Sequence, residues 1–146
     1  METGMKRRVR RVTMSIVLWV LQVLLALLFA WHGWLFIAPP TELVEMMNAL
    51  LPPWFRIFIG VAELLAAAGL ILPGVTRILP WLTPLAAAGL MIVTASASVL
   101  HATRGETASA ITTAVLFVLV TFVAYTRWKV KPLASRQQLA VSRQTA

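Results

Sequence analysis

Four long apolar segments dominate the chain and restrict it to very few folds. They cover, approximately, residues 12–37, 54–72, 78–100 and 108–125. A helix needs roughly 20 consecutive apolar residues, with a range of about 17–25, to cross a bilayer. Because lipid offers no hydrogen bonds, each span must satisfy its backbone internally as a helix. The sequence therefore predicts an all-α membrane protein, a bundle of four transmembrane helices.

The overall composition agrees with this prediction. Hydrophobic residues make up 60% of the chain and charged residues only 12%, against roughly 45–50% and 25% in soluble domains. One soluble core could not bury that much apolar surface, whereas a bilayer removes it from water directly. We expect a basic arm at 1–11, a membrane domain at 12–126 and a basic tail at 127–146.

The net charge of +8 is unevenly placed, and its placement favours a membrane over nucleic acid. The loops expected on one side of the membrane contain only two basic residues, Arg56 and Arg104. Lys and Arg are normally more frequent near the cytoplasmic ends of spans. Both termini should therefore be cytoplasmic, in a protein integral to the bacterial inner membrane. Membrane lipid, and not nucleic acid, is the expected partner of the basic clusters. The clusters are Lys6, Arg7, Arg8, Arg10 and Arg11, and Arg127, Lys129, Lys131, Arg136 and Arg143.

The segment 41–51 has a different pattern from the four spans. Its apolar residues recur at helical spacing on one face, and Glu42, Glu45 and Asn48 occupy the other face. This pattern is typical of an amphipathic helix of about three turns, too short to span a bilayer. We expect it to lie on the outer membrane surface, or to fold over the bundle as a lid. The apolar set is Leu43, Met46, Met47, Leu50 and Leu51.

Glu63 is an acidic residue inside the second apolar segment. It lies about 12 Å below the predicted outer boundary at about 1.5 Å per residue, and therefore near the midplane. An unpaired charge at that depth costs at least several kcal/mol. Three arrangements would accommodate it: a protonated carboxyl group, a paired carboxylate, or a position lining a cavity that holds water or a ligand.

Other polar residues fall at similar depths in the outer half of the membrane, on three different helices. They predict a ligand site with an apolar lining and a few convergent polar groups. In the inner half of the membrane, the only comparable polar residues are Gln22 and Thr121. The candidate binding residues are Glu63, His101, His32, Arg56, Ser98 and Thr94.

Each candidate also has a structural interpretation. Glu63 could hydrogen-bond a neighbouring helix, and His32, between Trp31 and Trp34, could belong to an interfacial aromatic belt. His101 and Arg56 could be interfacial residues, and the hydroxyl groups of Thr94 and Ser98 could bond within or between helices. Two His and one Glu form no recognised ligand motif, and the chain has no cysteine, so we expect no metal.

The stretch GVAELLAAAGLILPGVTRILPWLTPLAAAGLMIVTASASVLH, at 60–101, resembles the DoxX-like family of small four-helix membrane proteins. The resemblance extends to the end of the first span, AWHGWLFI, at 30–37. It implies membership in a family named for a subunit linked to thiosulfate:quinone oxidoreductase. Other members are associated with membrane redox complexes, and remote relatives act in receptor assembly. The matching features are Glu63, Gly69, Leu70, Gly74, Arg77 and His101.

Two functional hypotheses follow. In the first, the chain is a membrane subunit of a redox complex that binds a small hydrophobic molecule, such as a quinone, in an outward-facing intramembrane pocket. Glu63 then accepts or shares a proton, and His101 hydrogen-bonds the ligand. In the second, the chain is a non-enzymatic assembly factor or interaction module, and Glu63 is purely structural. The sequence leaves open whether the chain is an enzyme, and whether its partner is a redox protein or a second copy of itself.

Overall fold

The computed structural model describes residues 2–144, with side chains for residues 12–141 and 144. These residues form six α-helices and one π-helical turn, without a β-strand. The helices are α1 (Glu2–Ile37), α2 (Thr41–Leu50), α3 (Pro53–Thr76), α4 (Leu82–Thr103), α5 (Thr107–Tyr125) and α6 (Arg136–Gln144), and the π turn covers Thr126–Val130.

Four stretches of helix are long and apolar enough to cross a membrane, which confirms the predicted fold class. They are Val12–Ile37, Pro53–Thr76, Leu82–Thr103 and Thr107–Val130. The second is longer than the predicted 54–72, because Pro73 lies inside α3 and the helix ends only at Arg77, whose φ is 58°. The third begins at Leu82 instead of 78, after Leu79 with φ 49° and Pro80.

The membrane helices pack in chain order. α1 packs on α3, α3 on α4 and α4 on α5, while α1 and α5 touch only slightly. The core holds Leu25, Phe29, Leu70, Leu90 and Val120, each at most 3% exposed. We call the end of the bundle that carries α2 and the α4–α5 connection the α2 end. The opposite end, with the α3–α4 loop and the π turn, is the terminal end.

The backbones of α1 and α3 approach each other closely at two glycines. A Cβ atom added to Gly33 would lie 2.7 Å from the carbonyl oxygen of Gly60, and a Cβ atom added to Gly60 would lie equally close to the Gly33 oxygen. Small residues permit such close backbone contact in membranes, where van der Waals packing and hydrogen bonds drive helix association. This contact fixes the register of α1 against α3.

The two short helices lie at opposite ends of the bundle. α2 buries none of its residues. Arg104 Nη2 donates a hydrogen bond of 3.3 Å to the carbonyl oxygen of Leu50, the last residue of α2. At the terminal end, Arg136 Nε donates to the Thr76 carbonyl oxygen at 2.9 Å. The start of α6 therefore caps the carboxyl-terminal end of α3, where unpaired carbonyls favour a cation.

We expect Gly60→Ala to destabilise the bundle although alanine is the better helix former. The new methyl group meets backbone that cannot move without separating α1 from α3, and overpacking of this kind costs roughly 1–3 kcal/mol. Gly89→Ala is the matched control, because nothing lies within 4 Å of an added Cβ atom there. Thermal unfolding in detergent should show a lower Tm for Gly60→Ala only. An equal response of the two variants would contradict the tight contact.

Candidate functional site

Glu63 and His32 form a direct contact between α3 and α1. The Nδ1 atom of His32 lies 2.7 Å from Oε2 of Glu63, within hydrogen-bonding distance. The contact follows from the register set by the two glycines, since Gly33 adjoins His32 and an added Cβ atom at Gly33 would lie 3.1 Å from Cβ of Glu63. The carboxyl group of Glu63 therefore has a polar partner within the bundle.

The two members of this pair differ in exposure. The side chain of Glu63 is only 2% exposed, whereas that of His32 is 49% exposed. The imidazole ring also lies 4.4 Å, centroid to centroid, from the ring of Phe36 one turn later on α1. His32 thus covers a buried carboxyl group and keeps part of its own ring open to the surroundings of the bundle.

The pair can hold or transfer a proton. Imidazole has two ring nitrogens, one of which is a donor and the other an acceptor in the neutral form. Because Nδ1 contacts Glu63, Nε2 is left for a second partner. A carboxylate behind an imidazole fixes the ring orientation and stabilises the charged form when Nε2 takes up a proton.

Arg56 lies on α3 seven residues before Glu63, about two helical turns nearer the α2 end of the same interface. Its Nη1 atom donates a hydrogen bond to the carbonyl oxygen of Phe36, near the end of α1. The residue is 6% exposed, and its buried Nε atom has no hydrogen-bond partner. Among the described side chains Arg56 forms no ion pair with Glu63, and it instead binds the backbone of α1.

The other three predicted residues lie at the contact between α4 and α5. Thr94 Oγ1 donates to the Leu90 carbonyl oxygen at 2.8 Å within its own helix. Ser98 Oγ lies 2.9 Å from Thr113 Oγ1 on α5. His101 Nδ1 lies 2.5 Å from Oε2 of Glu106, beyond the turn between the helices. These three side chains therefore form contacts with groups of α4, α5 or the turn between them.

His101 and Glu63 also differ in depth. Glu63 follows the start of α3 by ten residues, and His101 precedes the end of α4 by two. At about 1.5 Å per residue, the two positions are offset by roughly 12 Å along the bundle. The structure therefore brings His32 to Glu63 and leaves His101 near the surface of the α2 end.

A groove of about 420 Å³ runs between α3 and α4. Its lining consists of apolar residues and glycine, and it includes none of the predicted site residues. Among the described residues, no group of three or more His, Cys, Asp or Glu side chains is arranged to hold a metal ion.

A second polar cluster occupies the terminal end of the bundle. Gln22 Nε2 donates to the Leu70 carbonyl oxygen at 2.7 Å, and Arg127 Nε donates to Gln22 Oε1 at 2.6 Å. The guanidinium carbon of Arg127 lies 5.6 Å from the centre of the Trp19 ring. This cluster joins α1, α3 and the π turn.

The sequence interpretation placed Arg127 in the basic tail, but the structure buries it to 4% exposure. A signal for this burial exists, because Arg127 follows the buried residues Val120 and Val123 by seven and four positions. That spacing puts all three on one helix face. Gln22 likewise shares a face with buried Leu18, Leu25 and Phe29.

The coupling between His32 and Glu63 can be measured with a double-mutant cycle. We expect His32→Ala and Glu63→Gln to be non-additive in the free energy of unfolding by at least about 0.5 kcal/mol, as contacting residues usually are. The matched cycle of His101→Ala with Glu63→Gln should be additive. Unfolding titrations in mixed detergent micelles give both values, and coupling to His101 rather than His32 would contradict the observed contact.

Comparison with known proteins supports the resemblance noted in the sequence. No curated protein and no solved structure matches the chain. The family model described as the DoxX-like family matches residues 20–123, which cover α3, α4 and most of the spanning parts of α1 and α5. Because this match covers well over half of the chain, the protein belongs to the DoxX-like family.

Proposed function

We propose that the protein is a membrane subunit that binds a small hydrophobic molecule through the His32–Glu63 pair. The observation that carries this proposal is the unequal exposure of the two side chains, 49% for His32 and 2% for Glu63. A pair that served only to join α1 and α3 would gain most from burying both partners. Here the imidazole is left open to a further partner.

The surroundings of His32 favour an amphiphilic ligand. The ring of Phe36 lies 4.4 Å from the imidazole ring, centroid to centroid, so apolar aromatic surface adjoins the open imidazole. A ligand that reaches His32 from the membrane would place an apolar body against this surface and a hydrogen-bonding group at Nε2. Sites for small molecules commonly combine apolar contacts with a few placed polar groups.

A quinone has this combination of properties, and the redox associations of the family favour it. Its carbonyl oxygen accepts a hydrogen bond from an imidazole N–H, while its isoprenoid tail stays in lipid. In this assignment His32 takes the ligand-binding role that the sequence suggested for His101. Glu63 stabilises the protonated imidazole from behind, and so helps the pair to donate or accept a proton at the ligand.

Electron transfer would require a partner protein. The chain has no cysteine, and the described residues hold no candidate metal cluster, so the proposed ligand and a redox protein would carry the electrons. With both termini cytoplasmic, as the charge distribution favours, the α2 end and the His32–Glu63 pair would lie toward the outer face of the bacterial inner membrane.

Mass spectrometry of small molecules extracted from the purified protein tests this proposal. We expect a stoichiometric quinone or other hydrophobic molecule in the wild type, and at least a tenfold loss of it in His32→Ala and Glu63→Gln. His101→Ala is the matched control, because that histidine pairs with Glu106 at the surface of the α2 end. It should retain the ligand.

Three results would contradict the proposal. A folded wild type without any bound molecule would favour the alternative, an assembly factor or interaction module in which Glu63 is structural. Full retention of the ligand in folded His32→Ala and Glu63→Gln would remove the pair from the site. Loss of ligand in His101→Ala alone would return the binding role to His101.

A further inference from the structure

The terminal end of the bundle contains a buried cation that has no anionic partner. Arg127 is 4% exposed, and among the described residues its one hydrogen bond joins Nε to the neutral side chain of Gln22 at 2.6 Å. Its Nη2 atom is buried without a hydrogen-bond partner. Charged groups inside a membrane normally pair with an opposite charge or with backbone carbonyls, because their burial is costly.

The acidic side chains that the structure describes lie away from Arg127. The sequence contains five, all of them glutamates. Glu63 contacts His32, and Glu106 contacts His101. Glu42 and Glu45 lie on α2, at the opposite end of the bundle. Glu2 precedes Trp19, the neighbour of Arg127, by seventeen helical residues, or about 25 Å at 1.5 Å per residue. Among the described residues, none therefore supplies a counter-charge to Arg127, which leaves this position open to an anionic ligand.

A second unpartnered polar atom occurs at the same end. Thr83, in the first turn of α4, is fully buried, and its Oγ1 atom has no hydrogen-bond partner. The π turn that carries Arg127 packs against α4. Buried polar groups are almost always hydrogen-bonded, so two unpartnered atoms at one end of the bundle require an explanation. π-helical turns within helices are also frequent at functional sites.

We propose that Arg127 and Thr83 bind a phosphate oxyanion, such as the headgroup of an anionic phospholipid. Gln22 prepares the arginine for this role. Its Nε2 atom is held by the Leu70 carbonyl oxygen, so Oε1 faces Nε of Arg127 and fixes the guanidinium group. The Nη atoms then remain for the ligand, and the guanidinium group matches the geometry of phosphate oxygens. The hydroxyl group of Thr83 supplies one further donor.

The position favours a lipid as the source of the phosphate. Arg127 lies in the last turns of the fourth span, at the depth where lipid headgroups begin. The next two residues, Trp128 and Lys129, are exposed. An aromatic and a basic side chain at this level are typical of a membrane interface. Free phosphate offers the same oxygens, and the experiment described next distinguishes it from a lipid headgroup.

The test uses the full chain, purified in a neutral detergent and stripped of lipid. We expect phosphatidylglycerol in mixed micelles to raise Tm by several degrees, and phosphatidylcholine to raise it by less than half as much. Arg127→Gln and Thr83→Val should each reduce the phosphatidylglycerol shift by at least half. Lys129→Gln is the matched control, because it removes the same charge from an exposed position two residues away. It should keep the full shift.

Inorganic phosphate, compared with chloride at equal ionic strength, identifies the source. A shift with phosphatidylglycerol alone supports a lipid headgroup, whereas a shift with inorganic phosphate that Arg127→Gln abolishes supports a site for the free oxyanion. Equal shifts with both lipids, or equal losses in Lys129→Gln and Arg127→Gln, would overturn the proposal. If Arg127→Gln does not fold, Thr83→Val decides: an undiminished shift in that variant would overturn the shared site.

Discussion

The backbone contact between Gly33 and Gly60 is the constraint on which the candidate site depends. In lipid, apolar side chains gain little by leaving the membrane for a helix interface, so two helices associate through close packing and hydrogen bonds. The glycines provide the close packing, because a Cβ atom at either position would lie 2.7 Å from a backbone oxygen of the other helix. The hydrogen bond between His32 and Glu63 lies directly beside them. Packing and polar pairing therefore define one register together.

This arrangement explains how a carboxyl group can lie deep in the bundle. The contact with His32 supplies a polar partner at 2.7 Å, and the surrounding helices keep Glu63 out of lipid. Electrostatic interactions are stronger in such surroundings than in water. A ligand bound at the exposed imidazole, as proposed, would therefore be influenced by Glu63 through His32 without touching the carboxyl group.

The sequence predicts the fold well because lipid fixes both the length and the composition of a span. It predicts the site less completely. Residue counting gives the depth of His32, Glu63 and His101, but not the rotation of each helix about its axis, which decides that His32 faces Glu63 and His101 faces Glu106. The five basic residues that follow residue 126 predict a basic tail that includes Arg127. Its spacing from Val120 and Val123 identifies the buried face once the helix is known to continue past Tyr125.

The two polar clusters lie on the same helices but are separated by apolar packing. Between His32 and Gln22 on α1 lie buried Leu25, Ala26 and Phe29, and between Glu63 and Leu70 on α3 lies buried Ala67. In the part of the chain that the structure describes, no polar side chain bridges this gap along the two helices. The polar contacts of the α1–α3 interface are therefore concentrated at its two ends, with apolar packing between them. Under the proposed function, a ligand at His32 would therefore be bound at the α2 end, separated by this apolar layer from the polar cluster around Arg127.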